Sequence, residues 1–327
     1  MDNLPWKSQK SSFEDALKYM HQRRTGEVTS LITPFKQMNY ATLDGLEWQT
    51  MMIIGGRPAT GKTAVKDQII RESFNLNPNI RMSVLEFSLE MVGRVTALRS
   101  FSSFLGVSYS ELLSTRGNKV SDDLLNQCKE YAKKMLNHSI FTVEEPPTVT
   151  KFESIVNTYM KQNKYKKNGK MVYENTIITI DHSILLLKSR GQGEREMLYE
   201  LGAAITRLKR KYPIIFIVLS QLNRSIDNPE RNEDGKYGNY VLESDIFGGD
   251  ALMQHTDLAI GLNRPGKQKI KYYGPERYII PDANLLVMHH IKARQGDVGL
   301  AFYNCDFSRM SIVDIKKPEK QGKGDFY

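Results

Sequence analysis

Eight consecutive residues, Gly56-Arg57-Pro58-Ala59-Thr60-Gly61-Lys62-Thr63, constrain this chain more than any other stretch. They fit the pattern Gly-x-x-x-x-Gly-Lys-Thr, follow the apolar run MMII and open a segment with helical patterning. Strand, glycine-rich loop and helix in that order are the context a phosphate-binding loop requires. Glycines let backbone N–H groups close around an anion, and the start of the following helix favours negative charge. Gly56, Arg57, Pro58, Ala59, Thr60, Gly61, Lys62, Thr63 and Ala64 are therefore candidate nucleotide-binding residues. Lys62 is expected to reach the β- and γ-phosphates of a nucleoside triphosphate, and Thr63 to offer its hydroxyl to Mg²⁺.

The flanking pattern fits such a loop. SVLEF (83–87), IFTV (140–143), TIITI (176–180) and IIFIVLS (214–220) read as buried strands. Helices are expected from Lys62 to about Phe74, from after SVLEF through Arg99, from Thr150 to Lys161 and over 194–211. In the last of these, Leu198, Leu201, Ile205 and Leu208 recur at helical spacing. Near-continuous apolar strands alternating with helices imply a parallel sheet covered on both faces. After Asp257 the short runs LAIGL, LLVMHHI, GLAFYN and MSIVDI have no long helix between them, so they are expected to extend the sheet as antiparallel strands. The fold class is thus α/β, a mostly parallel twisted sheet flanked by helices, with additional antiparallel strands at the C-terminal side.

Three units are expected along the chain. Residues 1–34 form a leader, loose to about residue 11. The leader carries a helix at about 12–23 whose stripe is Phe13, Ala16, Leu17 and Met20, with Ser12 and Asp15 as a capping pair. That stripe packs on its own domain or on a neighbouring subunit. Residues 35–315 form the core domain, and 316–327 a disordered tail. Within the core, the Gly-, Pro- and Lys-rich stretch 264–282, with Lys267, Lys269 and Lys271, reads as an exposed insertion, a surface hairpin.

The net charge of +9 favours an anionic partner, most simply nucleic acid, over a merely basic surface. Cys128 and Cys305 are the only cysteines and have neither metal-ligand nor disulfide-framework spacing, which fits a reducing compartment. No apolar run approaches the ~18–20 residues of a membrane span, and the first twenty residues lack the apolar centre of a secretory signal. A cytoplasmic protein with no membrane partner is expected.

Hydrolysis needs more than a cradle. Asp181 ends the strand TIITI, where a second Mg²⁺ anchor belongs. Glu90 lies just beyond SVLEF at the sheet's carboxyl-terminal edge and is the best candidate to orient an attacking water. Glu86 is the alternative, within the strand. Gln221 follows IIFIVLS and is placed to sense the γ-phosphate, or simply to cap the strand. Lys292 and Arg294 stand two residues apart at the end of LLVMHHI, so both point to one face. They form a solvated edge, or they reach the nucleotide of a neighbouring subunit as an arginine finger.

Together these motifs resemble the C-terminal ATPase domain of DnaB-type replicative DNA helicases. GGRPATGKTA resembles the family's phosphate loop, EFSLEM (86–91) its catalytic-glutamate motif, and Arg99 a family arginine on the next helix. IDHSILL (180–186) resembles its metal-binding aspartate motif, and LSQLNRS (219–225) its sensor-glutamine motif. SDIFGGDALMQHTD (244–257) is similar to a DNA-contacting loop and helix. KARQG (292–296) is similar to the motif carrying the trans-acting Lys292 and Arg294. The motifs occur in family order over residues 12–314.

The resemblance implies a RecA-like P-loop fold and ATP as substrate. It implies a homo-oligomeric ring, usually a hexamer, around single-stranded DNA, with 5′–3′ translocation and contacts to primase and other replisome proteins. It also implies a phage-like form without the helical N-terminal domain. DNA contacts are expected from Arg190, from Arg224, Arg231 and Lys236, and from the loop of Phe247, Gly248 and Gly249, through the backbone N–H groups of the two glycines or in another way. His182 and Ser183 depart from the family's usual aromatic and aliphatic residues, and Phe247 and Gly248 from its usual Arg-Glu pair. The competing function is a RecA-like recombinase or a DNA-stimulated ATPase without unwinding activity.

Overall fold

The computed structural model describes residues 6, 8–116, 119–232, 239–294 and 296–321. The chain opens with α1 (Gln9–Arg24) and α2 (Lys36–Ala41), then β1 (Thr50–Gly56) leads through the phosphate loop into α3 (Lys62–Leu76). β2 (Met82–Ser88) is followed by α4 (Gly93–Leu105), α5 (Tyr109–Leu113) and α6 (Asp122–Met135). β3 (Ile140–Val143) and α7 (Val149–Gln162) precede a hairpin of β4 (Lys164–Lys167) and β5 (Lys170–Tyr173). β6 (Asn175–Asp181), α8 (Glu194–Lys211) and β7 (Ile214–Gln221) complete the alternating part. After α9 (Gly249–Met253) come β8 (Leu258–Asn263), β9 (Tyr272–Tyr273), β10 (Tyr278–Ile279), β11 (Leu285–Ala293), β12 (Gly299–Asp306) and β13 (Ser311–Asp314).

Among the described residues, nine strands form one sheet in the order β13-β12-β11-β8-β1-β7-β6-β2-β3. The six from β8 to β3 pair in parallel. β11, β12 and β13 add antiparallel at the other side. This is the expected fold class, and the strand chemistry explains it. Successive side chains alternate between faces. Ile53, Phe87, Ile178 and Phe216 pack with Phe152 of α7 and Leu201 of α8 on one face. Ile54, Val84, Ile177 and Ile217 pack with Val65 and Ile69 of α3 on the other. Burying each such side chain contributes about 1.5–3 kcal/mol, which only a sheet covered on both faces collects along a continuous apolar strand.

Several expectations are corrected at the margins. Residues 9–11 are helical, because Ser8 rather than Ser12 caps α1, its hydroxyl accepting the Ser11 N–H at 3.1 Å. The α1 stripe does not pack on its own domain: Phe13, Leu17 and Met20 are 62%, 65% and 65% exposed. The core begins before residue 35, since Leu31 is fully buried and bridges Leu46. The stretch 264–282 exposes its lysines but buries Tyr273 and Tyr278 against Val287 and Phe302, so it is a packed hairpin rather than an exposed insertion. The tail is anchored as far as Gln321: Ile279 N–H donates to Glu319 O at 2.8 Å, and Lys317 Nζ lies 4.9 Å from the Tyr278 ring centre. Residues 322–327 lie outside the described residues.

Candidate functional site

β1 is the central parallel strand. Its last residue, Gly56, pairs with Gln221 of β7 and Leu262 of β8, so the phosphate loop emerges at the carboxyl-terminal edge of the sheet. The loop closes with positive φ at Ala59 (60°) and Gly61 (103°). Gly61 is required twice over, by that φ and because a Cβ there would collide with the ring of Phe307. Thr60 Oγ1 donates to Arg57 O at 2.7 Å, and Lys62 Nζ donates to Gly56 O at 2.8 Å and Arg57 O at 3.2 Å. Burial lowers the Lys62 pKa, while the nearby carboxylates of Asp181 and Glu90 favour its charged form.

Beneath the loop lies the candidate Mg²⁺ site. Thr63 Oγ1 donates to Asp181 Oδ2 at 3.0 Å. Asp181 Oδ1 is buried with no hydrogen-bond partner. One hydroxyl and one carboxylate with an unsatisfied oxygen fit a cation that takes one or two carboxylates and fills its shell with phosphate and water. Burial raises the Asp181 pKa, and Lys66 opposes that rise. Lys66 is itself 1% exposed, 2.8 Å from Asp67 Oδ1, 2.9 Å from Glu86 Oε1 and 3.9 Å from Asp181 Oδ2. Burial alone lowers its pKa, but the three carboxylates outweigh that and leave it raised. Glu86 is thereby corrected as a candidate for orienting water: it is buried on Lys66 and belongs to the support of Asp181.

Glu90 stands exposed at the mouth, close enough for its charge to act on Lys62, Asp181 and His182. The adjacent Leu89 N–H donates to Asp181 O at 2.9 Å, which ties this turn to the strand that carries Asp181. Gln221 is partly exposed beside Gly56, its carbonyl accepting the Phe247 N–H at 2.8 Å. Arg99 is half-buried on α4. Lys62, Thr63, Asp181, Glu90 and Gln221 therefore converge on one edge of the sheet.

Lys292 and Arg294 do not join them. β11 runs antiparallel to β8, and Ala293 pairs with Leu258 at the amino-terminal end of the parallel strands. A register shift between His290 and Lys292 turns the strand end toward α9. There Lys292 Nζ donates to Met253 O at 2.5 Å, and Arg294 donates to Gln254 O at 3.0 Å and to Asp257 Oδ1 at 3.1 Å. Both cations hold carbonyls at the end of α9, where Met253 O also accepts the Thr256 N–H at 3.2 Å.

Of the candidate DNA contacts, Arg190 and Arg224 are exposed. Lys236 lies outside the described residues. Arg231 departs from the expected free loop cation: its guanidinium forms a two-pronged pair with Asp245 at 2.6 and 2.9 Å and reaches Tyr240 O at 2.7 Å. Phe247 packs against the core, and the Gly249 N–H already donates to Ile246 O at 2.9 Å, so the expected anion contact through that group is not available in this structure. Gly248 is half-buried with φ of 64°.

Two residues that shape the site escaped the sequence reading. Lys66 sits one turn after Lys62 beside the apolar Val65, and a lysine on the buried side of a helix is the signal that reveals it. Phe307, between β12 and β13, walls the cradle at Gly61 and carries the Arg264 guanidinium 4.7 Å from its ring centre. Nothing local in the sequence brings a residue so far along the chain to the phosphate loop.

Comparison with known proteins supplies the context. Residues 30–310 match the family described as DnaB-like helicase C terminal domain. A replicative DNA helicase DnaB from Helicobacter pylori is 27% identical over 239 residues, covering 73% of this chain and 44% of the relative. One from Geobacillus stearothermophilus is 23% identical over 288 residues, covering 87% and 56%. The chain thus spans about half the length of the curated relatives it matches. A solved ATPase domain superposes with a TM-score of 0.77 at 17% identity, covering 95% of this chain and 100% of that one. A DnaB-like replicative helicase studied with primase gives 0.72 at 16% identity, covering 88% and 64%. At such identities the two structures establish the shared RecA-like fold.

Proposed function

The chain belongs to the DnaB-like helicase C-terminal domain family, and we propose that it is the ATP-hydrolysing motor of a replicative DNA helicase, working in the cytoplasm as a ring of copies on single-stranded DNA. One observation carries this reading. The cradle and the Lys292–Arg294 pair occupy opposite edges of one sheet. Gly56 pairs with Leu262, and Ala293 with Leu258. Those rows are four residues apart on β8, roughly 13 Å along the strand. Arg294 points further away still, onto Gln254 O. It cannot serve its own cradle, and it is half exposed where a neighbouring copy can approach. The exposed stripe of α1 supplies a second surface for such a neighbour.

In this reading, loop N–H groups and Lys62 hold the triphosphate, while Thr63 and Asp181 hold Mg²⁺. An ion held there would supply positive charge against that of the triphosphate. Glu90 orients the attacking water and accepts its proton, and Gln221 hydrogen-bonds toward the γ-phosphate. The neighbouring copy's Arg294 leaves Asp257 to stabilise the charge that develops during transfer. Arg190 and Arg224 grip DNA phosphates without reading sequence, so binding weakens as salt rises. A hexameric ring, 5′–3′ polarity and contacts with primase and other replisome proteins belong to the same proposal.

Unwinding of a forked duplex tests it. Strand separation is expected with ATP and Mg²⁺ and is expected to vanish in Lys62→Ala. Steady hydrolysis without strand separation on forks of either polarity would instead favour a DNA-stimulated ATPase.

A further inference from the structure

Arg57 is the second residue of the phosphate loop, and its guanidinium is already engaged. Nη2 lies 2.5 Å from Asp227 Oδ2, and Nη1 donates to Leu222 O at 3.4 Å. Nε is buried without a hydrogen-bond partner. Asp227 ends the one-turn segment Arg224–Asp227, which follows Gln221 and carries the exposed Arg224. That segment begins the stretch 223–245, whose far end is drawn back to its start by Asn223 N–H donating to Asp245 O at 2.6 Å. The strands feeding the two loops are neighbours, with Gly56 opposite Gln221. A single ion pair therefore joins the loop that receives phosphate to the loop proposed to receive DNA.

The strength of that pair suits a contact that is exchanged. The Arg57 and Asp227 side chains are 25% and 43% exposed, so water screens their attraction. A guanidinium makes the same charge-assisted hydrogen bonds to phosphate oxygens as to a carboxylate, and a triphosphate carries more negative charge than one partly solvated aspartate. A triphosphate entering the cradle places several negative charges beside residue 57.

We propose that Asp227 is a positioning residue that shares Arg57 with the bound triphosphate, so that filling the cradle releases the 224–227 turn and changes the grip on single-stranded DNA. The inference rests on the proposed function, in particular on Arg224 as a DNA contact. Because coupling between two sites is reciprocal, single-stranded DNA then changes nucleotide affinity by the same factor.

The test uses the full chain and a fluorescent oligothymidylate, with affinity read by anisotropy in the presence of Mg²⁺, with and without a non-hydrolysable ATP analogue. In the wild type the two affinities are expected to differ about 5-fold or more. In Asp227→Ala that ratio falls toward one while the analogue still binds. In Asp227→Glu, which keeps the carboxylate, the ratio returns, an outcome that simple damage to the loop does not produce. A wild-type ratio retained in Asp227→Ala, or a ratio of one in the wild type, overturns the inference alone. Failure of the wild type to bind the oligonucleotide in either state overturns the DNA-loop reading and the inference with it.

Discussion

The two edges of the central sheet handle charge in opposite ways. At the carboxyl-terminal edge, behind the exposed Glu90, one charge cluster is internal: Lys66 sits within 4 Å of Asp67, Glu86 and Asp181, all nearly inaccessible. At the amino-terminal edge Asp257 is held from within by the buried Lys209, and Arg294, 51% exposed, joins it from the solvent side. A buried cluster fixes geometry, because moving any member leaves an uncompensated charge in a dry environment. A half-exposed pair is easily re-partnered, because water already screens it. Under the proposed function, one edge holds the nucleotide still and the other delivers a cation to a neighbouring copy.

The sharpest way to break this comparison is Arg294→Ala. Removing a trans-acting arginine is expected to lower kcat by about 10³–10⁵-fold, with nucleotide affinity nearly unchanged in equilibrium binding. If affinity and rate fall together, Arg294 is part of ordinary binding. Glu90→Gln probes the other edge. Losing a positioned base is expected to reduce hydrolysis by about 10²–10⁴-fold, again with nucleotide retained, as a single-turnover assay would show.

Lys66→Met separates rigidity from chemistry. It strands the carboxylates of Glu86 and Asp181, and chemical denaturation should reveal a loss of roughly 3–5 kcal/mol. A loss within the range of a surface substitution would show that the cluster is not the support described above. The smallest effect on the chain itself is expected from replacing Phe13, Leu17 and Met20 together with serine. Their exposure predicts a stability change within about 0.5 kcal/mol per site. Sedimentation should nevertheless show a shift toward smaller assemblies.

Much of this was legible in the sequence where the physics is local. The strands TIITI and IIFIVLS are continuous apolar runs, and they appear within one residue of the expected bounds. The helix Glu194–Lys211 follows its leucine spacing, with Leu198, Leu201, Ile205 and Leu208 all buried. Helix α6 carries a local signal the expectations above do not include: Leu124, Leu125, Cys128, Tyr131, Ala132 and Met135 recur at helical spacing behind a Ser121 cap. The hairpin at 272–279 forms as expected but packs more tightly than its composition suggests, because Tyr273 and Tyr278, not its lysines, decide the packing. At the site, Lys62, Thr63 and Asp181 follow from motif and strand end. Phe307 and Asp227 depend on which strands become neighbours, and that is settled only when the sheet assembles.

The central claim is that hydrolysis needs one copy's Lys62 and another copy's Arg294. Mixing Lys62→Ala with Arg294→Ala protein tests it most directly. Each alone should be inactive. At equal proportions about a quarter of head-to-tail interfaces pair an intact cradle with an intact arginine. ATPase activity in the mixture should therefore rise well above the sum of the two separate proteins. No recovery at any mixing ratio, with both variants shown to co-assemble, would contradict the claim.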